Sequence, residues 1–205
     1  MVPDRHEVDL VPAGGRAVTS AAVDELSFLL GEVADGNLDS LNELVARLQA
    51  DVSRLCSALL PSALAEDATQ ETFVRVWRSA PTFRGESSAR TWVLTIARRA
   101  CHENLRRRRR RDELAAAVRR REERSDASEE LALGDLVGRL EANRRAAFVL
   151  TQLLGFSYEE TAEVCGCPVG TIRSRVARAR SDLVTAWRQA QDQRGGTSDV
   201  PKRQS

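Results

Sequence analysis

Apolar side chains recur at spacings of three and four residues along most of the chain, which predicts amphipathic helices. In the first half the pattern predicts helices near residues 26–33, 41–48, 52–59, 64–79 and 89–110. Gly36-Asn37, Pro61 and Pro81 separate these segments as helix breakers. Residues 1–22 lack such periodicity and are expected to form a flexible arm, so a first helical domain is predicted over 23–111.

The second half repeats the helical pattern after a charged segment. Residues 112–130 contain few large apolar side chains and are predicted to be a linker, partly helical at most. A stripe of leucine and valine from Leu133 to Leu140 begins a second domain over 131–190, with further helices near 143–154, 158–165 and 169–188. Residues 191–205 are expected to form a flexible tail. The fold class predicted is all-α, with two small domains joined by a charged flexible linker.

Composition narrows the class of protein. Of 205 residues, 30% are charged and only 4% are aromatic, which disfavours an aromatic-rich β-sandwich. We see no apolar run of the roughly 18 residues that a membrane helix needs, and no signal peptide. A cytoplasmic protein without membrane insertion is therefore expected.

Charge is divided unevenly along the chain. Residues 21–72 carry ten acidic and two basic side chains, a net of −8, whereas residues 98–124 carry twelve arginines against five acids, a net of +7. This asymmetry indicates a different partner for each sign, with nucleic acid as the partner of the basic part. It also suggests that the acidic and basic parts pack together in the free protein and mask the DNA-binding surface.

The residues needed for catalysis or metal binding are scarce. Cys165 and Cys167 form C-x-C rather than the C-x-x-C of common zinc sites, and only His6 and His102 supply imidazoles. Structural cysteines are the simpler interpretation, with metal binding or redox sensing as alternatives. No enzyme activity, cofactor or metal is expected.

A helix-turn-helix is predicted near the C-terminus. Ser157-Tyr158-Glu159-Glu160 matches the capping box S-x-x-E, Gly166 suits a left-handed helix end, and Pro168 suits a helix start. In the second helix, Ile172, Val176, Ala179 and Leu183 form one apolar stripe at 100° per residue. Arg173, Ser174, Ala177 and Arg178 then lie on the opposite face, flanked by Arg175 and Arg180. Such a face suits base contacts in the major groove, whereas the alternative is a solvated arginine face.

These residues resemble the promoter-recognition end of extracytoplasmic-function (ECF) sigma factors. The similarity covers Ser157–Glu160, Cys167–Arg175 and Ala179-Arg180. It implies that this domain binds the −35 promoter element. The DNA-contacting positions implied are Thr171, Arg173, Ser174, Arg175, Ala177 and Arg178.

A second motif, Glu66–Trp77, looks like the segment by which these sigma factors bind the β′ clamp helices of RNA polymerase. Asp67, Gln70, Glu71 and Val74 share one face of a helix and are the expected core-binding residues. Phe73, Val76 and Trp77 are expected to be buried on another face. Taken alone, the acidic face is better explained by solvation, and the motif gains its meaning from its occurrence together with the helix-turn-helix.

The segment Phe83–Gly85 with Thr91–Arg98 resembles the −10 recognition loop and the helix that follows it. Trp92 and Ile96 are expected to hold that helix on the core, and the loop is suited to hold an unpaired base. Arg99 replaces the asparagine found in many relatives. The candidate −10 contacts are Phe83, Arg84, Ser87, Arg98, Arg99 and His102.

Six consecutive arginines, 106–111, follow this helix. Neutralising phosphates releases counterions, so this run predicts salt-sensitive contact with DNA or polymerase, the alternative being a solubilising segment. The sequence as a whole predicts a sigma factor that binds RNA polymerase core, through the β′ clamp helices and the β flap, and promoter DNA. An anti-sigma factor is a further candidate partner. One competing interpretation is a conventional repressor or activator, which would normally dimerise to read two half-sites. Another is a structural or RNA-binding helical protein, which leaves the Asp67–Trp77 motif unexplained.

Overall fold

The computed structural model describes residues 20–118 and 133–195 of the chain, and every described element is helical. The first unit contains α1 (Ser20–Ala34), α2 (Leu38–Leu59), α3 (Ser62–Ser79) and α4 (Ala89–Val118). The second unit contains α5 (Leu133–Gly138), α6 (Ala142–Phe148), α7 (Tyr158–Cys165) and α8 (Val169–Gly195). The all-α prediction is confirmed. The predicted arm, linker and tail lie mostly outside the described residues.

Helix α2 is one continuous helix, whereas the sequence pattern predicted two helices at 41–48 and 52–59. Residues 49–51 contain no glycine or proline to interrupt it, and the buried stripe from Leu44 to Leu59 continues through Val52. The helix begins at Asn37, whose side-chain oxygen accepts hydrogen bonds from the backbone N–H groups of Asp39 and Ser40 at 3.0 and 3.2 Å. An amphipathic stripe this long allows α2 to contact α1, α3 and α4.

The connection between α3 and α4 forms the predicted loop. A short 3₁₀ turn, Ala80–Thr82, ends α3, and Gly85 adopts a φ of +70°, where a side chain would be strained. Ser88 Oγ accepts a hydrogen bond from Thr91 N–H at 3.1 Å and so caps the start of α4. Helix α4 extends to Val118, beyond its predicted end near Arg110. The loop is therefore held at both ends by helix termini.

The helix-turn-helix of the second unit follows the sequence prediction closely. Ser157 Oγ accepts from Glu160 N–H at 3.0 Å, and the Glu160 carboxylate accepts from Ser157 N–H at 2.8 Å, which completes the capping box. Gly166 ends α7 at a φ of +60°, and α8 starts directly after Pro168. Before this motif, α6 continues into a π-helical turn, Val149–Leu153, so the predicted helix 143–154 is confirmed in outline.

The buried residues of both units form one continuous hydrophobic cluster. Within it α4 packs on α7, and α2 packs on α6 and α5. The two units are therefore in direct contact in this structure.

We expect Ser157→Ala to lower the free energy of unfolding by about 1 kcal/mol, because it removes the helix cap of α7. The matched control is Ser181→Ala, an exposed serine within α8, which should change stability by less than about 0.5 kcal/mol. Urea unfolding followed by circular dichroism measures both changes. Equal effects of the two substitutions would show that the capping box does not stabilise the helix-turn-helix.

Candidate functional site

Helix α8 presents the predicted polar face to solvent. Arg173, Ser174, Ala177 and Arg178 are exposed, and Ile172, Val176 and Ala179 are buried on the opposite side. We call the four exposed residues the α8 face. Within the described part of the chain, neither Arg173 nor Arg178 has a hydrogen-bonding or ionic partner. Both guanidinium groups are thus available to an acceptor from outside the protein, as base or phosphate contacts require.

The residues beside the α8 face make contacts within the second unit. Arg175 is half-buried, and its guanidinium donates to Cys167 Sγ at 3.4 Å. Arg180 donates to Gln152 Oε1 at 2.7 Å. Thr171 is half-buried, and its carbonyl accepts from Ser174 Oγ at 2.9 Å. The bonds of Arg175 and Arg180 join α8 to the turn before it and to the π-helical segment Val149–Leu153. These bonds help to fix the orientation of the α8 face.

Helix α3 carries an exposed polar and apolar patch. Asp67, Gln70 and Val74 are exposed as predicted, and Val76 is buried. The prediction that Trp77 is buried is wrong, since 47% of the residue is exposed. Helical geometry explains the result, because Trp77 lies three and seven residues after Val74 and Gln70 and shares their side of the helix. We call Asp67, Gln70, Val74 and Trp77 the α3 patch.

Glu71 differs from the other residues proposed to bind polymerase. It is half-buried between α3 and α4, where its carboxylate pairs with Arg75 and accepts a hydrogen bond from Asn104 at 3.0 Å. Arg75 also pairs with Glu103 at 2.6 Å, and Arg107 lies 3.8 Å from Glu71. In this structure the Glu71 carboxylate is therefore used to hold α3 against α4.

The charges of this network reinforce one another. Partial burial opposes ionisation of Glu71, but hydrogen bonds from Arg75 and Asn104 and the nearby positive charges hold its pKa below the usual value. The hydrogen bond from Arg75, with the charges of three arginines, also lowers the pKa of Glu103. Both carboxylates are thus ionised at neutral pH, which keeps Arg75 fixed between them.

The predicted −10 loop is anchored to α4 by an aromatic contact. The rings of Phe83 and Trp92 meet edge to face, with their centroids 5.5 Å apart. Trp92 and Ile96 are partly buried against the core, as predicted. Arg84 is exposed at the tip of the loop, and Ser87 is half-buried where the chain enters α4. Phe83 is therefore a residue that positions the loop.

The candidate −10 residues of α4 point in different directions. Arg99 is exposed, whereas Arg98 and His102 are half-buried. One Arg98 nitrogen donates to Asn143 Oδ1 of the second unit at 3.4 Å, and its buried Nε has no partner among the described residues. Burial and the positive charge of Arg98 lower the pKa of His102. Arg98 therefore contributes to the contact between the units, through an incompletely satisfied side chain.

Two other arginines, which the sequence analysis did not identify, join the units. Arg90 pairs with Asp51 at 2.7 Å, donates to the Leu154 carbonyl at 2.8 Å, and lies 4.1 Å above the Phe156 ring. Arg145 donates to the carbonyl oxygens of Ala58 and Leu140 at 3.0 and 2.7 Å. Arg90 of the first unit thus contacts a carbonyl group and a ring of the second unit, and Arg145 of the second unit contacts a carbonyl group of the first. The partners of these arginines across the contact are uncharged groups. These bonds therefore do not show the suggested pairing of acidic and basic surfaces.

The structure also describes the arginine run and the four cysteines. The arginines 106–111 are exposed along α4, consistent with either interpretation of that run. All four cysteines are free thiols, and three are buried. Among the described residues no cluster of His, Cys, Asp and Glu has the composition of a metal site. None of the helices in that part of the chain is both long and apolar enough to span a bilayer.

Comparison with protein families decides the identity. Residues 44–111 match Sigma-70 region 2, and residues 130–183 match Sigma-70 region 4. The ECF RNA polymerase sigma factor SigC of Mycobacterium tuberculosis is 39% identical over 183 residues, spanning 82% of this chain and 95% of that protein. The chain belongs to the ECF group of the sigma-70 family. It is therefore a transcription initiation factor that binds RNA polymerase and promoter DNA, and not an enzyme.

Other relatives agree with this assignment. The ECF RNA polymerase sigma-E factor of Escherichia coli is 34% identical over 172 residues, covering 76% of this chain and 90% of that protein. Among solved structures, CnrH in complex with the cytosolic domain of CnrY is 27% identical with a TM-score of 0.62, covering 81% of this chain and 99% of CnrH. RpoE of Bartonella quintana, in complex with the anti-sigma factor NepR, is 28% identical with a TM-score of 0.59, covering 69% and 92% of the two chains.

We expect the double variant Arg90→Met with Asp51→Leu to separate the two units. It removes the bond to Leu154 and the ring contact with Phe156 without leaving an unpaired buried carboxylate. A loss of roughly 1–3 kcal/mol from these contacts shifts the equilibrium towards separated units by about 5-fold to 100-fold. Small-angle X-ray scattering should then show a larger radius of gyration.

The matched control is Arg47→Met with Glu43→Leu, an ion pair that lies within the first unit. This variant should scatter like the unmodified protein. If both double variants keep the original radius of gyration, the contacts of Arg90 do not hold the units together.

Proposed function

We propose that the α3 patch binds the β′ clamp helices of RNA polymerase core, that the loop before α4 binds the melted −10 element, and that the α8 face reads the −35 duplex. The observation that carries this division is that two exposed surfaces of different chemistry lie on different units. The α3 patch combines acid, amide and apolar side chains, and the α8 face has two arginines without partners among the described residues. Transcription initiation places this activity in the cytoplasm.

The α3 patch has the composition of a protein-binding surface. Trp77 and Val74 are 47% and 44% exposed and offer apolar area, and Asp67 and Gln70 lie beside them. Tryptophan is strongly enriched at the energetic centre of interfaces, where surrounding polar groups add specificity. Glu71 supports this surface from beneath by holding α3 on α4. One side of α3 is therefore proposed to bind the polymerase, and the other side packs within the first unit.

The α8 face supplies sequence recognition. Its arginines are suited to pair with guanine in the major groove, and Ser174 and Ala177 are small enough to let the helix approach the bases. Arg175 and Thr171 lie at the side, where they are placed to contact phosphates and fix the register. We propose that the −10 element is contacted by Phe83, Arg84 and Ser87 of the loop and by Arg98, Arg99 and His102 of α4.

The contact between the units defines a resting state. Promoter elements centred at −10 and −35 are about 25 base pairs apart, or roughly 85 Å along B-DNA. Packed helices lie only about 8–10 Å apart, and we infer that α4 and α7 separate when both elements are bound. Arg98 is then released from Asn143, and its unsatisfied Nε gains access to an acceptor. Opening removes a buried unpaired donor, which offsets part of the lost contact.

An anti-sigma factor is the partner proposed to stabilise the inactive state further. The solved structures similar to this chain include a sigma factor bound to the anti-sigma factor NepR and CnrH bound to the cytosolic domain of CnrY. For this chain, such a partner would compete with polymerase for the exposed α3 patch or with DNA for the α8 face. The β flap is the further polymerase contact proposed for the second unit.

We expect Asp67→Ala with Gln70→Ala to weaken binding to RNA polymerase core at least tenfold, because truncating central interface residues costs about 1–3 kcal/mol each. The matched control is Asn42→Ala with Gln49→Ala, two exposed polar residues on α2, which should leave the affinity unchanged. Equilibrium binding of the labelled full chain to purified core measures both.

Run-off transcription on genomic fragments completes the test. The unmodified protein should produce discrete new transcripts with core polymerase, and the α3 double variant should lose them at limiting concentrations. Specific duplex binding with no binding to core and no transcripts would instead favour a conventional repressor or activator.

A further inference from the structure

Two thiols lie in contact inside the first unit, and neither takes part in the functions described above. Cys56 of α2 and Cys101 of α4 are both fully buried, and the Cys101 thiol donates to Cys56 Sγ at 3.4 Å. The helices that carry them pack directly on each other. In the second unit, Cys167 instead contacts the Arg175 guanidinium. We call Cys56 and Cys101 the core dithiol.

The geometry of the core dithiol suits a disulfide. The sulfur atoms of a disulfide lie about 2.05 Å apart, so these two sulfurs need to approach each other by about 1.4 Å. This displacement is small beside the roughly 8–10 Å that separates the axes of packed helices. The two cysteines are 45 positions apart in the sequence. A bond between them would therefore join the end of α2 covalently to α4.

The two thiols differ in how readily they ionise. The hydrogen bond from Cys101 lowers the pKa of the Cys56 thiol, burial opposes this effect, and the hydroxyl groups of Thr69 and Thr72 on α3 lower the pKa further. The bond to Cys56, together with burial, raises the pKa of Cys101. Because the thiolate is the form that reacts with an oxidant, Cys56 is the sulfur suited to react first.

Cys56 is also the thiol that lies nearer to a helix end. Its carbonyl accepts the hydrogen bond from Leu60 N–H at 2.8 Å that closes the last turn of α2, and Pro61 follows directly. Cys101 lies within the longer helix α4. Helix ends open at a lower free-energy cost than helix interiors. A small oxidant therefore reaches Cys56 first, through opening of this turn.

We propose that the core dithiol is a reversible redox modification site, which hydrogen peroxide oxidises to a disulfide between α2 and α4. The Cys56 thiolate attacks a peroxide oxygen, the O–O bond breaks, and the leaving hydroxide takes up a proton to form water. Cys56 is then a sulfenic acid. The Cys101 sulfur attacks the Cys56 sulfur, the S–O bond breaks, and the hydroxyl leaves with the Cys101 proton as a second water.

The electrons of this reaction balance between the dithiol and the peroxide. The two sulfurs together lose two electrons, and one peroxide gains them. A dithiol reductant returns the two electrons by thiol–disulfide exchange. A bond between positions so far apart restricts the unfolded chain more than the folded one, so the oxidised protein is expected to be the more stable form. Polymerase and promoter binding are not required for any of these steps.

The direct test uses the full chain with Cys165→Ser and Cys167→Ser, so that the core dithiol supplies the two remaining thiols. Hydrogen peroxide under native conditions should give a single chain about two mass units lighter, whose cysteines resist alkylation after unfolding. Its Tm, followed by circular dichroism, should rise by roughly 10 °C and return to the original value with dithiothreitol.

Single variants in the same background test the order of the two steps. With Cys101→Ala, the sulfenic acid of Cys56 has no second thiol to react with and should be trapped by dimedone. With Cys56→Ala, Cys101 should be trapped roughly tenfold more slowly, because burial keeps this thiol protonated. Peroxide should raise the Tm of neither variant. Comparing treated and untreated samples of one variant removes the effect of the substitution itself on stability.

Three results would overturn the proposal. The first is that both thiols of the core dithiol stay reduced at peroxide concentrations that oxidise Cys167 of the unmodified protein. The second is a disulfide that forms only between two chains, or only after unfolding in urea. The third is equal trapping of Cys56 and Cys101 in the two single variants, which contradicts the assigned order of reaction.

Discussion

The packing of α4 on α7 determines which surfaces this sigma factor presents when it is free. Beside that packing, Arg90 donates to the Leu154 carbonyl and lies over the Phe156 ring, both in the connection that precedes α7, and Asp51 compensates its charge. Arg98, about two helical turns further along α4, donates a long hydrogen bond to Asn143 of α6, and its Nε is unsatisfied. The contact is thus well made near Arg90 and poorly made near Arg98. Such a contact holds the units together and also limits the cost of separating them.

Helix α4 connects all proposed activities of the first unit. Its start carries the aromatic anchor of the −10 loop, its middle contacts the second unit through Arg98, and Glu103 and Asn104 bind residues of α3. Glu71 and Arg75 join α3 to the same segment of α4, so the helix that carries the α3 patch is fastened to the helix that follows the −10 loop. Polymerase binding and strand binding are therefore expected to depend on one rigid pair of helices.

The features that depend on local helix geometry could be predicted from the sequence. The capping box at Ser157, the left-handed Gly166 and the orientation of the α8 face all follow from spacing within one or two helices. What it did not predict depends on partners distant in the chain. Glu71 shares its helix side with Asp67, but only the fold brings Asn104 and Arg107 beside it. Arg90 and Arg145 resembled ordinary helix arginines, because carbonyl acceptors leave no sequence signal. The exposure of Trp77 was recoverable from its spacing to Gln70 and Val74.

The central claim is that the two units are packed together in the free protein and separated at a promoter. Energy transfer between dyes attached at Gln49 on α2 and Gln189 on α8, both exposed, tests this most directly. Transfer should be efficient for the free protein and should fall sharply when core polymerase and promoter DNA are both bound. Equal transfer efficiency in the free protein and in a transcriptionally active complex would contradict the account, since the units would then bind the promoter without separating.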